Sequence, residues 1–253
     1  MKIKRKNKYF KTSLILVSKN EEKYAPNFFK SLKKQKRKPD EIILVDCSTD
    51  RTPEISKSHV NKLIRVKKCG ASYQRGVGVK HSKGDILIFT DIDTILYTTW
   101  IKELVKKFKN PNIHVVRGNV LWPEIKKKVS LVGKRINHCN MAYRRHVLEE
   151  FPFDPNLNRG DDWDMGYRIS KKYIIYGCPK AKVIHFSFKK HGWENAKSYG
   201  KDWVALTKKY KTPYWTIRAL YNIFYPIIEK RPMWVLYNLY GFLATLVEEI
   251  LTK

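Results

Sequence analysis

The first third of the chain alternates between short apolar runs and segments typical of helices. Apolar runs expected to form buried strands lie at 12–17, 41–46, 62–66 and 86–90. Helices are expected between them, at 21–35, 53–59 and 71–81. Strands and helices that alternate in this way form βαβ units around a parallel sheet. The predicted fold class is therefore α/β, and ligands are expected beyond the carboxyl ends of the strands.

Three of these strands run into polar residues, which a parallel sheet would bring to one edge: Ser18, Asp46, and Asp91 with Asp93. Two carboxylates at i and i+2 of an extended backbone project to one side and repel each other unless a cation or a proton lies between them. Asp91 and Asp93 therefore predict either a Mg²⁺ or Mn²⁺ site or a capped turn before the next helix. Asp46 closes an otherwise apolar strand and could accept the N–H of a nucleobase.

A second group of acids, in "NRGDDWDMGYRISKK", lies at the start of a predicted helix. Asp161, Asp162 and Asp164 complement the dipole of that helix, which explains one or two of them. One of these carboxylates could act as a general base towards an acceptor hydroxyl. Trp163 beside them is expected either to stack on a sugar or to fill the core.

Two further side chains have two interpretations each. Arg75, on the predicted helix 71–81, would either face the phosphate groups of a bound ligand or lie on the surface, and we assign it to the phosphate groups. The glycines around it match neither G-x-G-x-x-G nor a P-loop. His185 ends a predicted strand and would be a structural histidine unless that strand leads back to Asp93. The basic run "KKHG" after it would be a solvated loop or would close over phosphates.

Composition restricts the partners. The 52 Lys and Arg against 23 Asp and Glu give a formal net charge of +29, which indicates an anionic partner or simply a lysine-rich surface. The four cysteines lack C-x-x-C spacing, so neither a zinc site nor a redox pair is indicated, and a reduced, cytosolic setting is expected. The apolar run at 14–17 is too short for a signal peptide.

Two aromatic segments, at 214–228 and 232–247, lie near the C-terminus. Neither has the roughly 20 apolar residues that a membrane-spanning helix needs. They mix Trp and Tyr with basic residues, as helices in a membrane interface do, but they could equally pack on the main domain.

Taken in order, these segments resemble the family 2 glycosyltransferases, of GT-A fold. The resemblance covers about 12–185 and rests on "LILVSKNE", "IILVDCSTDRT", "GDILIFTDIDT", "NMAYRRHVLEEFPFDP", "DDWDMGYRI" and "AKVIHF". It implies a mostly parallel central sheet flanked by helices, with a Rossmann-like nucleotide-binding half. This domain is expected at 1–190, followed by a helical C-terminal extension at 191–253.

The resemblance also implies roles for individual residues. Ser18 and Asp46 would hold the nucleobase and ribose. In the D-x-D motif Asp93 would be a direct metal ligand, with Asp91 nearer the ribose, and His185 would complete the metal site. Asp162 would be the catalytic base of an inverting enzyme. Asp161 stands where the family has Glu and is assigned to binding of the nucleotide sugar. Arg168 matches an Arg frequent on that helix, and Lys19 departs from the family pattern and leaves the identity of the base open.

The predicted function is transfer of a sugar from a nucleotide-diphospho-sugar to an acceptor hydroxyl, with Mn²⁺ or Mg²⁺ as cofactor. The acceptor is expected in glycolipid, polysaccharide or cell-envelope synthesis, at the inner face of the cell membrane, with no nucleic acid as partner. One alternative is a nucleotidyltransferase, which would need a Gly-rich, Arg-containing loop that "SKNEEKY" lacks. The other is a basic nucleic-acid-binding protein, which would leave the acidic clusters unexplained.

Overall fold

A computed structural model describes residues 9–122, 136–158, 160–186 and 193–211, without the side chains of 193–200. Its first half contains, in chain order, β1 (Thr12–Ser18), α1 (Ala25–Lys33), β2 (Glu41–Asp46), α2 (Thr52–Lys57), β3 (Lys62–Arg65), α3 (Ala71–His81) and β4 (Ile86–Asp91). Its second half contains β5 (Thr94–Leu96), α4 (Trp100–Lys107), β6 (Val115–Leu121), a 3₁₀ turn (His138–Asn140), β7 (Met141–Arg144), α5 (Arg145–Glu150), α6 (Asp161–Ile169), β8 (Ile175–His185) and α7 (Trp193–Tyr210).

The strands form an eight-stranded sheet in the order β3-β2-β1-β4-β7-β6-β8-β5. The first four neighbours, β3, β2, β1 and β4, are parallel, which confirms the βαβ prediction. Beyond them β7 is antiparallel to β4 and to β6, β8 is parallel to β6, and β5 is antiparallel to β8. The sheet is thus mostly parallel with an antiparallel extension.

The parallel half is covered on both faces, so the middle of its central strand, residues 14–17, is apolar. All seven residues of β1 are buried, as expected of a strand between two layers of helices. Helix α3 lies directly on this strand, because a Cβ added at Gly78 would come within 2.4 Å of Ile15 Cγ2. The close contact fixes the position of Arg75, which is on the same helix.

The register of the strands brings their polar ends together. Ser18 pairs with Asp46, and Val17 pairs with Asp91. At the far end of the sheet Thr94 pairs with His185, so β8 returns to the D-x-D motif. The sequence did not predict β5, which is only three residues long.

Helix α7 lies against the segment that precedes and forms α6. The carboxylate of Asp202 accepts the backbone N–H groups of Asn158 and Gly160. The ring of Trp203 lies 5.0 Å from that of Trp163. Trp163 therefore packs in a small apolar cluster, which supports the core interpretation rather than an exposed sugar platform.

The C-terminal aromatic segments predicted at 214–228 and 232–247, and the basic run at 189–192, lie outside the described residues. Within the described ranges, no helix is both long and apolar enough to cross a membrane. The domain boundary at 190 stays a prediction.

Two of the cysteines are joined, which the sequence interpretation did not anticipate. Cys47 and Cys69 form a disulfide with a Cα–Cα distance of 5.6 Å, while Cys139 and Cys178 are free and buried. The expectation of reduced cysteines is wrong for the first pair. The spacing of the cysteines along the chain could not indicate this disulfide, because only the fold brings the carboxyl end of β2 next to the segment before α3.

Candidate active site

The carboxyl ends of β1 and β2 form the first part of the site. Asp46 is fully buried. One carboxylate oxygen accepts the hydroxyl groups of Ser18, at 2.5 Å, and Ser48, at 2.6 Å. The other accepts the Ser48 N–H, at 3.1 Å, and the guanidinium of Arg65. Asp46 therefore ties the strand ends together, and its contact with a nucleobase stays a prediction.

An open cavity of about 560 Å³ lies beside this cluster, lined in part by Ser48, Thr49, Pro53 and Arg65. None of the acids of the D-x-D motif or of α6 lines it. The cavity therefore borders the predicted nucleobase end of the site rather than the reacting groups.

The second part of the site joins the D-x-D motif to the last residue of β8. His185 Nε2 lies 3.4 Å from Asp93 Oδ1 and 3.8 Å from Asp91 Oδ2. The three side chains can each offer one ligand atom within 4.8 Å of the others. Burial alone would lower the pKa of His185, but the nearby carboxylates of Asp91 and Asp93 raise that pKa above its ordinary value. The strand does lead back to Asp93, as the metal-site interpretation of His185 requires.

Arg75 connects the D-x-D motif to the acids of α6. Its guanidinium lies 3.0 Å from Asp91 Oδ1 and 2.5 Å from Asp161 Oδ2. The Arg75 side chain is only 8% exposed, so the surface interpretation is wrong. Burial alone would raise the pKa of both carboxyl groups, but the charge of Arg75 holds both below their ordinary range. In this arrangement Arg75 binds carboxylates, and its contact with phosphate stays a prediction.

Asp162 lies in the first turn of α6, and its side chain is 33% exposed. Its Oδ1 accepts the backbone N–H of His138, at 3.0 Å, and lies 2.5 Å from Nδ1 of the same residue. Among the residues described by the structure, its Oδ2 has no hydrogen-bond partner. One oxygen is thus held while the other is open, which is the geometry that a general base needs.

The third acid of this group faces away from the site. Asp164 is fully buried and pairs with Arg168, and its other oxygen accepts Lys209 Nζ at 2.9 Å and the hydroxyl of Tyr210. Asp164 therefore connects α6 to α7, and Arg168 pairs with it from within α6. The helix-dipole interpretation is sufficient for this acid.

Sequence reasoning missed His138, which contacts both acids at the start of α6. The apolar and polar pattern of "INHCNMAYRR" predicts a strand, yet β7 begins only at Met141, and His138 opens the 3₁₀ turn before it. Its importance arises from a contact with residues 23 and 24 positions later along the chain, at Asp161 and Asp162. No local pattern could have indicated that contact.

Comparison with known proteins agrees with this geometry. Residues 13–169, more than half of the chain, match the family model described as Glycosyl transferase family 2. Poly(ribitol-phosphate) beta-N-acetylglucosaminyltransferase TarS of Staphylococcus aureus is 30% identical over 215 residues, covering 75% of this chain and 37% of that protein. The 4,4'-diaponeurosporenoate glycosyltransferase of Staphylococcus haemolyticus is 36% identical over 91 residues, covering 33% of this chain and 24% of that protein. The chain spans less than half the length of these relatives.

Solved structures show the same fold. The mannosyltransferase PcManGT from Pyrobaculum calidifontis, in complex with GDP-Man and Mn²⁺, has a TM-score of 0.64 at 15% identity, covering 95% of this chain and 76% of that one. Residues 1–349 of S. aureus TarS, in complex with UDP-GlcNAc, give a TM-score of 0.57 at 19% identity, covering 77% and 66%. The chain therefore has the GT-A fold that its sequence predicted and belongs to glycosyl transferase family 2.

Proposed function

We propose that this chain transfers a sugar from a nucleotide-diphospho-sugar to an acceptor hydroxyl with inversion at the anomeric carbon. The observation that carries the proposal is the meeting of a D-x-D acid pair, a histidine and a half-open carboxylate at one edge of the sheet. The pair is Asp91 and Asp93, the histidine is His185, and the half-open carboxylate is that of Asp162. The ligands named for the similar structures, UDP-GlcNAc and GDP-Man, support a nucleotide sugar as donor. Neither the nucleotidyltransferase nor the nucleic-acid-binding alternative has comparable support.

A divalent cation fits the group formed by Asp91, Asp93 and His185. Carboxylate oxygens suit both Mg²⁺ and Mn²⁺, and the imidazole nitrogen adds a donor that Mn²⁺, as a transition ion, accepts more readily. The Mn²⁺ named for the mannosyltransferase structure supports the same choice. A bound ion would neutralise the charge that develops on the departing diphosphate.

In the proposed reaction the chain's own residues position the donor and move one proton. Ser18 and Asp46 are assigned to the nucleobase and ribose, and Asp91, which belongs to the metal group, ends the strand next to that of Ser18. The open Oδ2 of Asp162 takes the proton of the acceptor hydroxyl. The acceptor oxygen then bonds to the anomeric carbon, and the bond from that carbon to the diphosphate breaks, its electron pair leaving with the nucleoside diphosphate. A single displacement of this kind inverts the configuration.

The acceptor is proposed to be an anionic or lipid-linked glycan at the cytoplasmic membrane face. The formal net charge of +29 favours such a surface, and the relative TarS is named for poly(ribitol-phosphate), which is a phosphate-bearing polymer. Sedimentation with anionic liposomes tests this step. Absence of binding at low salt would contradict the membrane contact but not the transfer reaction.

The transfer reaction is tested by the release of nucleoside diphosphate from a panel of UDP- and GDP-sugars with Mn²⁺ and candidate acceptors. Asp162→Asn should keep donor binding and lose turnover, whereas Asp93→Asn should lose the dependence on metal. Asp85→Asn is the matched control, because Asp85 directly precedes β4, at the opposite end of that strand from Asp91, and its side chain accepts the Lys11 N–H. Turnover that survives in Asp162→Asn would refute the base assignment. No binding or turnover of any nucleotide sugar would refute the function.

A further inference from the structure

His138 is held rigidly at the start of the 3₁₀ turn. Its side chain is fully buried, and its ring lies 5.0 Å from that of Phe153 and 5.8 Å from that of Phe89. The turn itself is capped, because the side chain of Asn137 accepts the N–H of Cys139. The imidazole therefore has one position and cannot swing away from its polar partners.

Both ring nitrogens of His138 have partners. Nδ1 lies 2.5 Å from Asp162 Oδ1 and 3.1 Å from Asp161 Oδ2. Nε2 lies 3.0 Å from the hydroxyl of Tyr143. Carboxylates only accept hydrogen bonds, so Nδ1 carries the hydrogen and donates it to the acids. Burial alone would lower the pKa of His138, but its hydrogen bonds with the two acids raise that pKa above its ordinary value.

The backbone of the same residue supplies a second donor to the same oxygen. The N–H of His138 donates to Asp162 Oδ1 at 3.0 Å. Two donors from one rigid residue thus converge on Oδ1, and rotation of the carboxylate would break at least one of these bonds. Asp161 does not compete for the role of base, because its Oδ2 is paired with Arg75.

We propose that His138 is a positioning residue, which fixes the carboxylate of Asp162 so that Oδ2 is presented to the acceptor hydroxyl. The inference rests on the proposed function of Asp162 as base. The backbone donor alone leaves the carboxylate free to turn about the Oδ1 contact, whereas the ring donor removes that freedom. A displacement of about 1 Å at a reacting group lowers a rate by about 100-fold, and the donor-binding residues would not be affected.

Two near-isosteric variants separate positioning from packing. Asparagine places an amide nitrogen where Nδ1 lies, whereas glutamine places one where Nε2 lies. His138→Asn should keep most of kcat, while His138→Gln should lose about 100-fold in kcat with an unchanged KM for the donor. Tyr143→Phe, which removes only the partner of Nε2, is the control and should resemble the wild type. Equal losses in the two His138 variants, or a greater loss in His138→Asn, would overturn the proposal.

A spectroscopic measurement tests the contact without turnover. In protein labelled with ¹⁵N-histidine, the Nδ1 signal of His138, assigned by its loss in His138→Asn, should report a protonated nitrogen. That signal should shift in Asp162→Asn and stay unchanged in Asp85→Asn. An Nδ1 that is unprotonated, or that does not respond to Asp162→Asn, would overturn the inference. If the contact is present but no nucleotide sugar is ever turned over, the proposed function fails instead.

Discussion

Arg75 is a buried cation between two acids, and replacing it by methionine tests what holds the site together. Its guanidinium contacts Asp91 at 3.0 Å and Asp161 at 2.5 Å. Methionine fills much of the same volume but removes the guanidinium charge. Among the described residues, this leaves Asp161 only its contact with His138 and Asp91 only its contact with His185. Removing one partner of a buried ion pair costs about 3–5 kcal/mol. Arg75→Met should therefore lower the free energy of unfolding by about this amount at pH 7, which is a large part of the roughly 5–15 kcal/mol of an ordinary domain.

The cost of the substitution should depend on pH in a defined direction. Arg75 holds the pKa of Asp161 below its ordinary value. A carboxyl whose pKa is lowered by folding stabilises the protein above its unfolded pKa of about 3.9, and this stabilisation is lost as the pH falls towards the folded value. The difference between wild type and Arg75→Met should therefore be largest near neutral pH and shrink below about pH 4.

Urea denaturation followed by tryptophan fluorescence measures both effects. The double variant Arg75→Met with Asp161→Asn should be more stable than the sum of the single changes predicts, by roughly 0.5–3 kcal/mol, because one uncompensated charge is removed. Arg51→Met is the matched control, since its ion pair with Glu54 is exposed and worth about 1 kcal/mol at most. A loss under about 1 kcal/mol for Arg75→Met at pH 7, or strict additivity, would refute the reasoning.

Three further changes have defined outcomes. Gly78→Ala places a carbon 2.4 Å from Ile15 Cγ2 and should lower the free energy of unfolding in urea by about 1–3 kcal/mol. An unchanged urea midpoint would contradict this and show that α3 can move away from β1. Cys69→Ser removes a cross-link between residues 22 apart, worth about 3 kcal/mol, so its thermal midpoint without reductant should match that of reduced wild type. Asp202→Ala removes the carboxylate that accepts the Gly160 N–H, which should lower the free energy of unfolding by about 1–3 kcal/mol and speed hydrogen exchange at that amide. Slow exchange at the Gly160 amide in this variant would contradict the prediction.

The parallel half of the fold could be predicted because its physical requirements appear locally in the sequence. A strand covered on both faces is rich in apolar residues, and the run predicted at 12–17 became β1, Thr12–Ser18, with every residue buried. Polar residues at the ends of such strands must meet at one edge, which placed Ser18, Asp46 and Asp91 near one another. β5 has three residues and pairs antiparallel to β8, so it has neither the length nor the βαβ context on which the prediction depended.

The rest of the site depends on contacts between distant segments. Whether Arg75 lay on the surface or in the site was decided by the face of α3 that packs on β1, and the sequence does not specify that face. His138 acquires its partners only when the 3₁₀ turn meets the start of α6. Cys47 and Cys69 likewise come together only through the fold. Composition and spacing do not indicate contacts between residues that are distant along the chain.

Calorimetric titration of the intact protein with nucleotide sugars, with Mn²⁺ and then with a chelator, measures whether donor binding depends on a metal ion. We predict saturable binding of at least one UDP- or GDP-sugar with Mn²⁺, little or none after chelation, and loss of the metal effect in Asp93→Asn but not in Asp85→Asn. Binding of equal strength with and without the ion, or no binding of any nucleotide sugar, would contradict it.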